Sequence, residues 1–329
     1  MAPVARNARA SAQARLSEGL DARVLEPSPP YDHSDEAYLA DDPAAMGRPA
    51  PGCTIVSPTT VSQISWDDLA ADDDELAEFA AARWLGAWRP LPELPGDWAE
   101  GRLALHRLAA YVLSPVRMEA IGKMGLRYTK DGFGTPFFGI ESRQVRLEGV
   151  DVVVQTGEDT VEAQPVTTLA AAAEQTGAQL DATVSECFDA PEMGDPEQPL
   201  PITPPAAAFA ADWFGFAWSV LEQIRAETPD LGPSRVQLWP EHFDAAFDQG
   251  DEAAGRRAGY GCSPGDHHAD GDPEPYLYVS LWEKDRVPDE PFWNAPFGAK
   301  LPWSELAPAD DHRELALQFF RQGRALLTR

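Results

Sequence analysis

RQVRLEGVDVVVQTGEDTVEAQPV, residues 143–166, decides the fold. Its β-branched residues fall in three short runs, RQVRLEG, VDVVVQT and TVEAQPV. Gly149-Val150 separates the first two and Thr156 to Asp159 the last two. A parallel crossover needs a dozen or more residues, so such short connections force neighbouring strands to run antiparallel. The stretch therefore predicts an antiparallel meander.

The pattern extends in both directions. Upstream, GKMGLRYT (122–129) alternates Met124, Leu126 and Tyr128 against Lys123, Gly125 and Arg127, and Asp131-Gly132 supplies a turn. TPFFGI (135–140) reads as one more strand. Downstream, TTLAAAAEQTG (167–177) predicts a helix with a threonine cap and Gly177 as its stop. QLDATV (179–184) reads as a strand. A helix over 205–227 carries Phe209, Trp213, Phe216, Val220 and Ile224 on one face, the spacing of a core stripe. A second strand set follows: RVQLWP, HFDAAF, RRAGYGC and PYLYVSLW, closed by a helix near 308–327. Two helices, at 72–88 and 99–113, precede the first set, and Ser114-Pro115 ends the latter or opens a further turn.

Runs of strands and runs of helices, without strict alternation, predict α+β: antiparallel sheets of short strands packed on amphipathic helices. The domain spans 53–329, with pseudo-equivalent lobes at 53–184 and 203–329 joined by a Pro-rich loop at 185–204. That loop is long for a compact domain, which suits a linker or a covering flap. Residues 1–52 read as a loose Pro-, Asp- and Ala-rich tail.

Charge narrows the partners. The 26 basic and 54 acidic residues leave a net −28, which repels nucleic-acid phosphates and anionic lipid. A small molecule is the partner class left; oligomeric state stays open. Cys53, Cys187 and Cys262 are odd in number and widely spaced, so a cytoplasmic protein is expected. No apolar run reaches the ~20 residues of a spanning helix.

Chemistry gathers around WPEHFDAAF (239–247). Read as a strand, it puts His242 and Asp244 on one face and the phenylalanines on the other. If PYLYVSLW shares its sheet, Tyr276 and Tyr278 join that face. His242 as base, Asp244 as its orienting partner and Tyr276 form an acid–base set. Trp239 and Tyr278 would bind substrate, with Lys123 and Arg127 receiving an anionic group. Between the strands, GYGCSPGDHHADGDPEP (259–275) offers Asp266 and His268 as ligands for a divalent metal. Adjacent histidines diverge in extended chain, and HExxH and EF-hand spacings are absent, so a solvated acidic turn is the competing reading. Cys262 reads as a small core residue. The function expected is a hydrolytic, metal-assisted small-molecule enzyme. The alternative is a non-catalytic binder using the same aromatic face, with Trp282 closing a dry pocket.

GKMGLRYTKDGFGTPFF, VQLWPEHFD, YGCSPGD and PEPYLYV, in this order, resemble a family of uncharacterised bacterial proteins that carry a domain of unknown function. The likeness covers about residues 100–327. It implies an α+β body with polar motifs at strand ends, and brings no activity, substrate or cofactor.

Overall fold

Strand pairing in the computed structural model follows the short turns. Described are residues 54–56, 63–65, 90–129, 131–136, 138, 143–156, 160–187, 189–269, 271–283, 287–288 and 290–328. The tail and the helix expected at 72–88 lie outside these. A two-stranded ladder pairs β1 (Thr54–Val56) with β2 (Gln63–Ser65).

Helix α1 (Trp98–Leu108) runs through a π-helical turn, Ala109–Leu113, into α2 (Ser114–Ile121). Pro115 explains the wide turn. It has no N–H to give, and its ring crowds the carbonyl four residues back. Widening lets Ser114 N–H bond Ala109 O, five residues back, so the helix continues instead of ending.

The first sheet is an antiparallel meander, as predicted, running in chain order through β3 (Arg127–Thr129), β4 (Gly132–Gly134), β5 (Arg143–Glu148), β6 (Asp151–Thr156) and β7 (Thr160–Pro165); β4 forms just after the turn, on residues not expected to be a strand. Asp131 at φ 54° and Gly149 at φ 62° make its turns. Two expected strands differ. Thr135 and Pro136 leave the ladder after β4, and Phe138 makes an isolated bridge to Arg143. In QLDATV, Asp181 Oδ1 accepts bonds from Thr183 N–H and Oγ1–H, and this local turn leads into the short helix α4 (Val184–Cys187). The preceding helix, α3 (Leu169–Thr176), has the threonine cap, Thr168, and a left-handed Gly177.

The second sheet orders as β12-β11-β10-β9-β8, also antiparallel throughout: β8 (Gln237–Trp239), β9 (Asp244–Gln249), β10 (Ala258–Ser263), β11 (Tyr276–Leu281) and β12 (Gly298–Pro302). The two sheets meet edge to edge. Leu126, beside β3, donates to Leu238 O at 2.8 Å and accepts from Leu238 N–H at 2.9 Å. The long helix α5 (Pro204–Glu227) crosses both, packing on β3, β4, β9 and β10. Helix α1 packs against α5, and the last helix, α7 (His312–Leu327), packs against both α5 and β11; the short α6 (Trp303–Leu306) links β12 to α7. This position buries more of α5 than one stripe: Phe214, Trp218 and Leu221 are as enclosed as Phe209, Trp213 and Phe216. A helix enclosed on all sides is apolar all round. No helix among the described residues is long and apolar enough to cross a membrane.

One close approach shapes the outer face of the second sheet. Gly261 pairs with Tyr278, and a Cβ there would lie 2.2 Å from that ring. The bare backbone lets Tyr278 lie over β10 and reach Asp244 on β9. Gly261→Ala should therefore lower stability by about 1–3 kcal/mol, the usual cost of overpacking. Gly259→Ala, whose Cβ would meet Asp248 Oδ1 at 3.3 Å, should cost less. Urea unfolding of both variants checks the order.

Candidate functional site

WPEHFDAAF is not one strand. β8 ends at Trp239, a turn follows, and β9 starts at Asp244. The turn closes through Phe243 N–H to Trp239 O at 2.7 Å, with Phe243 at φ 58°. A bulky residue in the left-handed region is strained by roughly 1–3 kcal/mol. Burial offsets this: Phe243 is fully enclosed, stacked on His106 at 5.3 Å and edge-on to Phe133 and Phe214 at 5.0 and 5.2 Å. The turn separates the pair that alternation placed together. His242 points outward, with 53% of its side chain exposed, while Asp244 sits inside at 5%.

His242 finds a different carboxylate. Its Nδ1 lies 3.3 Å from Asp189 Oδ2, and His268 Nε2 lies 2.7 Å from Asp189 Oδ1. Asp189 comes from the Pro-rich loop, which works as a strap laid across α1. Tyr111 Oη donates to Pro191 O at 2.7 Å and Arg107 Nε to Glu192 O at 2.8 Å, fixing the strap just past Asp189. Asp189, His267 and His268 each offer one ligand atom, all within 4.8 Å of one another. Residues 266–269 turn rather than extend, so the adjacent rings do not diverge; their centroids are 3.9 Å apart.

Helix α1 holds both loops from below. Trp98 Nε1 donates to Pro264 O at 3.0 Å, and the Arg102 guanidinium donates to Gly265 O and Asp266 O at 2.9 and 2.6 Å. His106 Nε2 lies 3.0 and 3.1 Å from Pro240 O and Glu241 O. Carbonyls only accept, so Nε2 carries the proton and Nδ1 is the bare nitrogen. Nδ1 is buried with no partner among the described residues. Burial, then the neighbouring His267, pull the His106 pKa down to about 3.

The charges within the cluster suit a ligand set. Burial alone would raise the Asp189 carboxyl; the His268 hydrogen bond and the three nearby imidazoles outweigh it and hold the acid below its usual value. Burial, then His268, lower His267, leaving a neutral imidazole at neutral pH.

The other expected site residues divide. Asp266 faces its own loop: Oδ1 accepts from Tyr276 Oη at 2.8 Å and Oδ2 from Asp272 N–H at 2.9 Å. His268 belongs to the cluster; Asp266 braces the turn beneath it. Lys300 adds a 2.9 Å ion pair to Asp272. Tyr278 donates to Asp244 Oδ2, while Asp244 Oδ1 is buried without a partner among the described residues. Burial raises the Asp244 carboxyl despite His242 and Tyr278, and raises the Tyr278 phenol well above its usual value. Trp239 is half-buried at the end of β8, opposite Asp244 in the ladder. Lys123 and Arg127 are interior groups, 9% and 3% exposed, with Arg127 lying 5.9 Å from the Trp218 ring centroid; neither presents a surface cation to an anion. Trp282 is 51% exposed and bonded to Asp248. Cys262 is fully buried and its thiol is pushed well up by burial, as a core residue's is.

Sequence reasoning missed Asp189, Arg102 and His106. Arg102 and His106 did leave a signal, an i,i+4 polar pair inside the apolar run GRLALHRLAA. Asp189 left none, because a long loop places its residues through contacts far away in the chain.

His106 yields a pH prediction. It stays neutral in the fold down to pH about 3, whereas the unfolded chain takes up the proton below about 6.5. Between those limits the unfolded state binds more protons, so this residue's contribution is full above the window and shrinks as pH falls through it. In chelator-treated protein, the stability advantage over His106→Gln should narrow by about 1.4 kcal/mol per pH unit from pH 6 to 4. Urea unfolding at several pH values checks it. Against known proteins the chain stands apart: no protein-family model, no curated protein and no solved structure matches it.

Proposed function

We propose that this chain is a metal-assisted enzyme that hydrolyses a small molecule, with Asp189, His267 and His268 as ligands of a divalent ion. The observation that carries the reading is the convergence, within 4.8 Å, of ligand atoms from two loops far apart in sequence. Two imidazoles and one carboxylate form a donor set suited to zinc and other borderline ions, with positions left for water and substrate. Asp189 and His268 are about half exposed, so a substrate can reach an ion there. Such an ion would lower the pKa of a bound water and polarise the scissile group. His242, against the second oxygen of Asp189, is the base that would take the water's proton. Asp244 and Tyr276, expected as partners in the chemistry, serve this reading as supports: each is engaged with the opposite member of the pairs Asp244–Tyr278 and Asp266–Tyr276.

A binder working through the Tyr276–Tyr278 face is less well supported, since both hydroxyls are already spent on carboxylates within the chain.

The test is calorimetric titration of chelator-treated protein with Zn²⁺ and Co²⁺. One site is expected per chain. Asp189→Asn and His268→Ala should each weaken it by about tenfold or more, as loss of a ligand or of its partner does. Asp251→Asn, an exposed control, should not. His242→Ala should keep the ion and lose about 10²–10⁴ in any turnover found in a screen of chromogenic esters, amides and phosphoesters. Absence of a stoichiometric site, or equal affinity in Asp189→Asn, would refute the reading.

A further inference from the structure

Beside the cluster lies a cavity of about 400 Å³, within the range of small-molecule sites. The π-helical turn and α2 form one wall, with Tyr111, Pro115 and Met118; Met124 and Val184 line it elsewhere. Glu241 lines it too, one residue before His242 and with its carbonyl bonded to His106. The strap that carries Asp189 is tied to the same wall through Tyr111 Oη and Pro191 O. The cavity wall thus includes the turn that carries His242 and the tyrosine that ties down the strap carrying Asp189.

Among the described residues, those with charge on this wall are all of one sign: Glu119, Asp181 and Glu241 line it, and neither lysine nor arginine does. Asp181 is occupied by Thr183, but Glu241 Oε2 is buried with no hydrogen-bond partner among the described residues. A buried carboxylate oxygen without a donor costs free energy that a ligand's N–H would recover. Met118, 40% exposed, leaves apolar surface at the same place. Wide turns of this π type recur at ligand sites, and Met adapts to varied apolar shapes.

From this juxtaposition we infer that the cavity binds the apolar body of a protonated amine, whose ammonium group meets Glu241. Resting on the function proposed above, this makes the substrate class a small amphipathic amine with its hydrolysable bond turned toward Asp189 and His268. An apolar carboxylate of the same shape would meet three acids and is rejected.

Calorimetry of the full chain with 2-phenylethylamine, 3-phenylpropionate and 3-phenylpropan-1-ol tests the inference. The amine should bind at least about tenfold more tightly than the acid, the scale of one charge-assisted bond. Glu241→Gln should bring the amine down to the alcohol. Val184→Trp, which fills the cavity, should abolish binding of all three, with circular dichroism confirming that both variants fold. Equal binding of amine and acid, no amine binding by the folded wild type, or an unchanged preference in Glu241→Gln would overturn it. The same titration in Asp189→Asn separates the two proposals: retained amine binding supports the cavity assignment whatever the metal result, and loss of amine binding by that folded variant counts against it.

Discussion

Everything at the site depends on buried polar side chains of α1 that hydrogen-bond the backbone of the second sheet's loops. Trp98, Arg102 and His106 lie along one side of that helix and reach five carbonyl oxygens, on residues 240, 241, 264, 265 and 266. Loop carbonyls turned into the interior must find donors or forfeit roughly 1–3 kcal/mol each. Here one helix supplies the donors. Both loops are thereby fixed to a rigid element and to each other, and their outer tips, His242 and His267-His268, face the same strap. Arg102 suits the task because a guanidinium offers several donors in a fixed fork.

Strain and burial act together in the shorter loop. The left-handed Phe243 turns its ring into the core, against His106, Phe133 and Phe214, and leaves His242 on the outside. A relaxed strand would have put the imidazole beside Asp244. The actual turn gives Asp244 to Tyr278 and sends the imidazole to Asp189. Local strain at a site of convergent polar groups is a familiar arrangement where the surrounding core overdetermines the backbone.

Legibility followed the range of the interactions. Strands β5, β6 and β7 and helices α3 and α5 were readable because their signals are local: β-branched runs, Gly and Asp turns, a threonine cap, an aromatic stripe. β12 was not, since GAKLP has no alternation and is a strand only because β11 offers it an edge. QLDATV failed for a local reason, an aspartate that bonds its own turn. WPEHFDAAF failed for a non-local one: nothing in its letters says that three aromatic rings from other elements will enclose Phe243. At the site, His242 and His268 were readable as chemistry-bearing types near strand ends. Their meeting point, Asp189, is set by Tyr111 and Arg107 holding a strap some 80 residues away in sequence.

The most direct test of this account is anomalous diffraction at the zinc edge from crystals grown with zinc. The account predicts one strong peak at about 2.0–2.2 Å from a carboxylate oxygen of Asp189 and from ring nitrogens of His267 and His268, with Arg102 and His106 still bonded to their carbonyls. A peak held only by surface carboxylates, or an Asp189 strap lying away from both histidines, would contradict it.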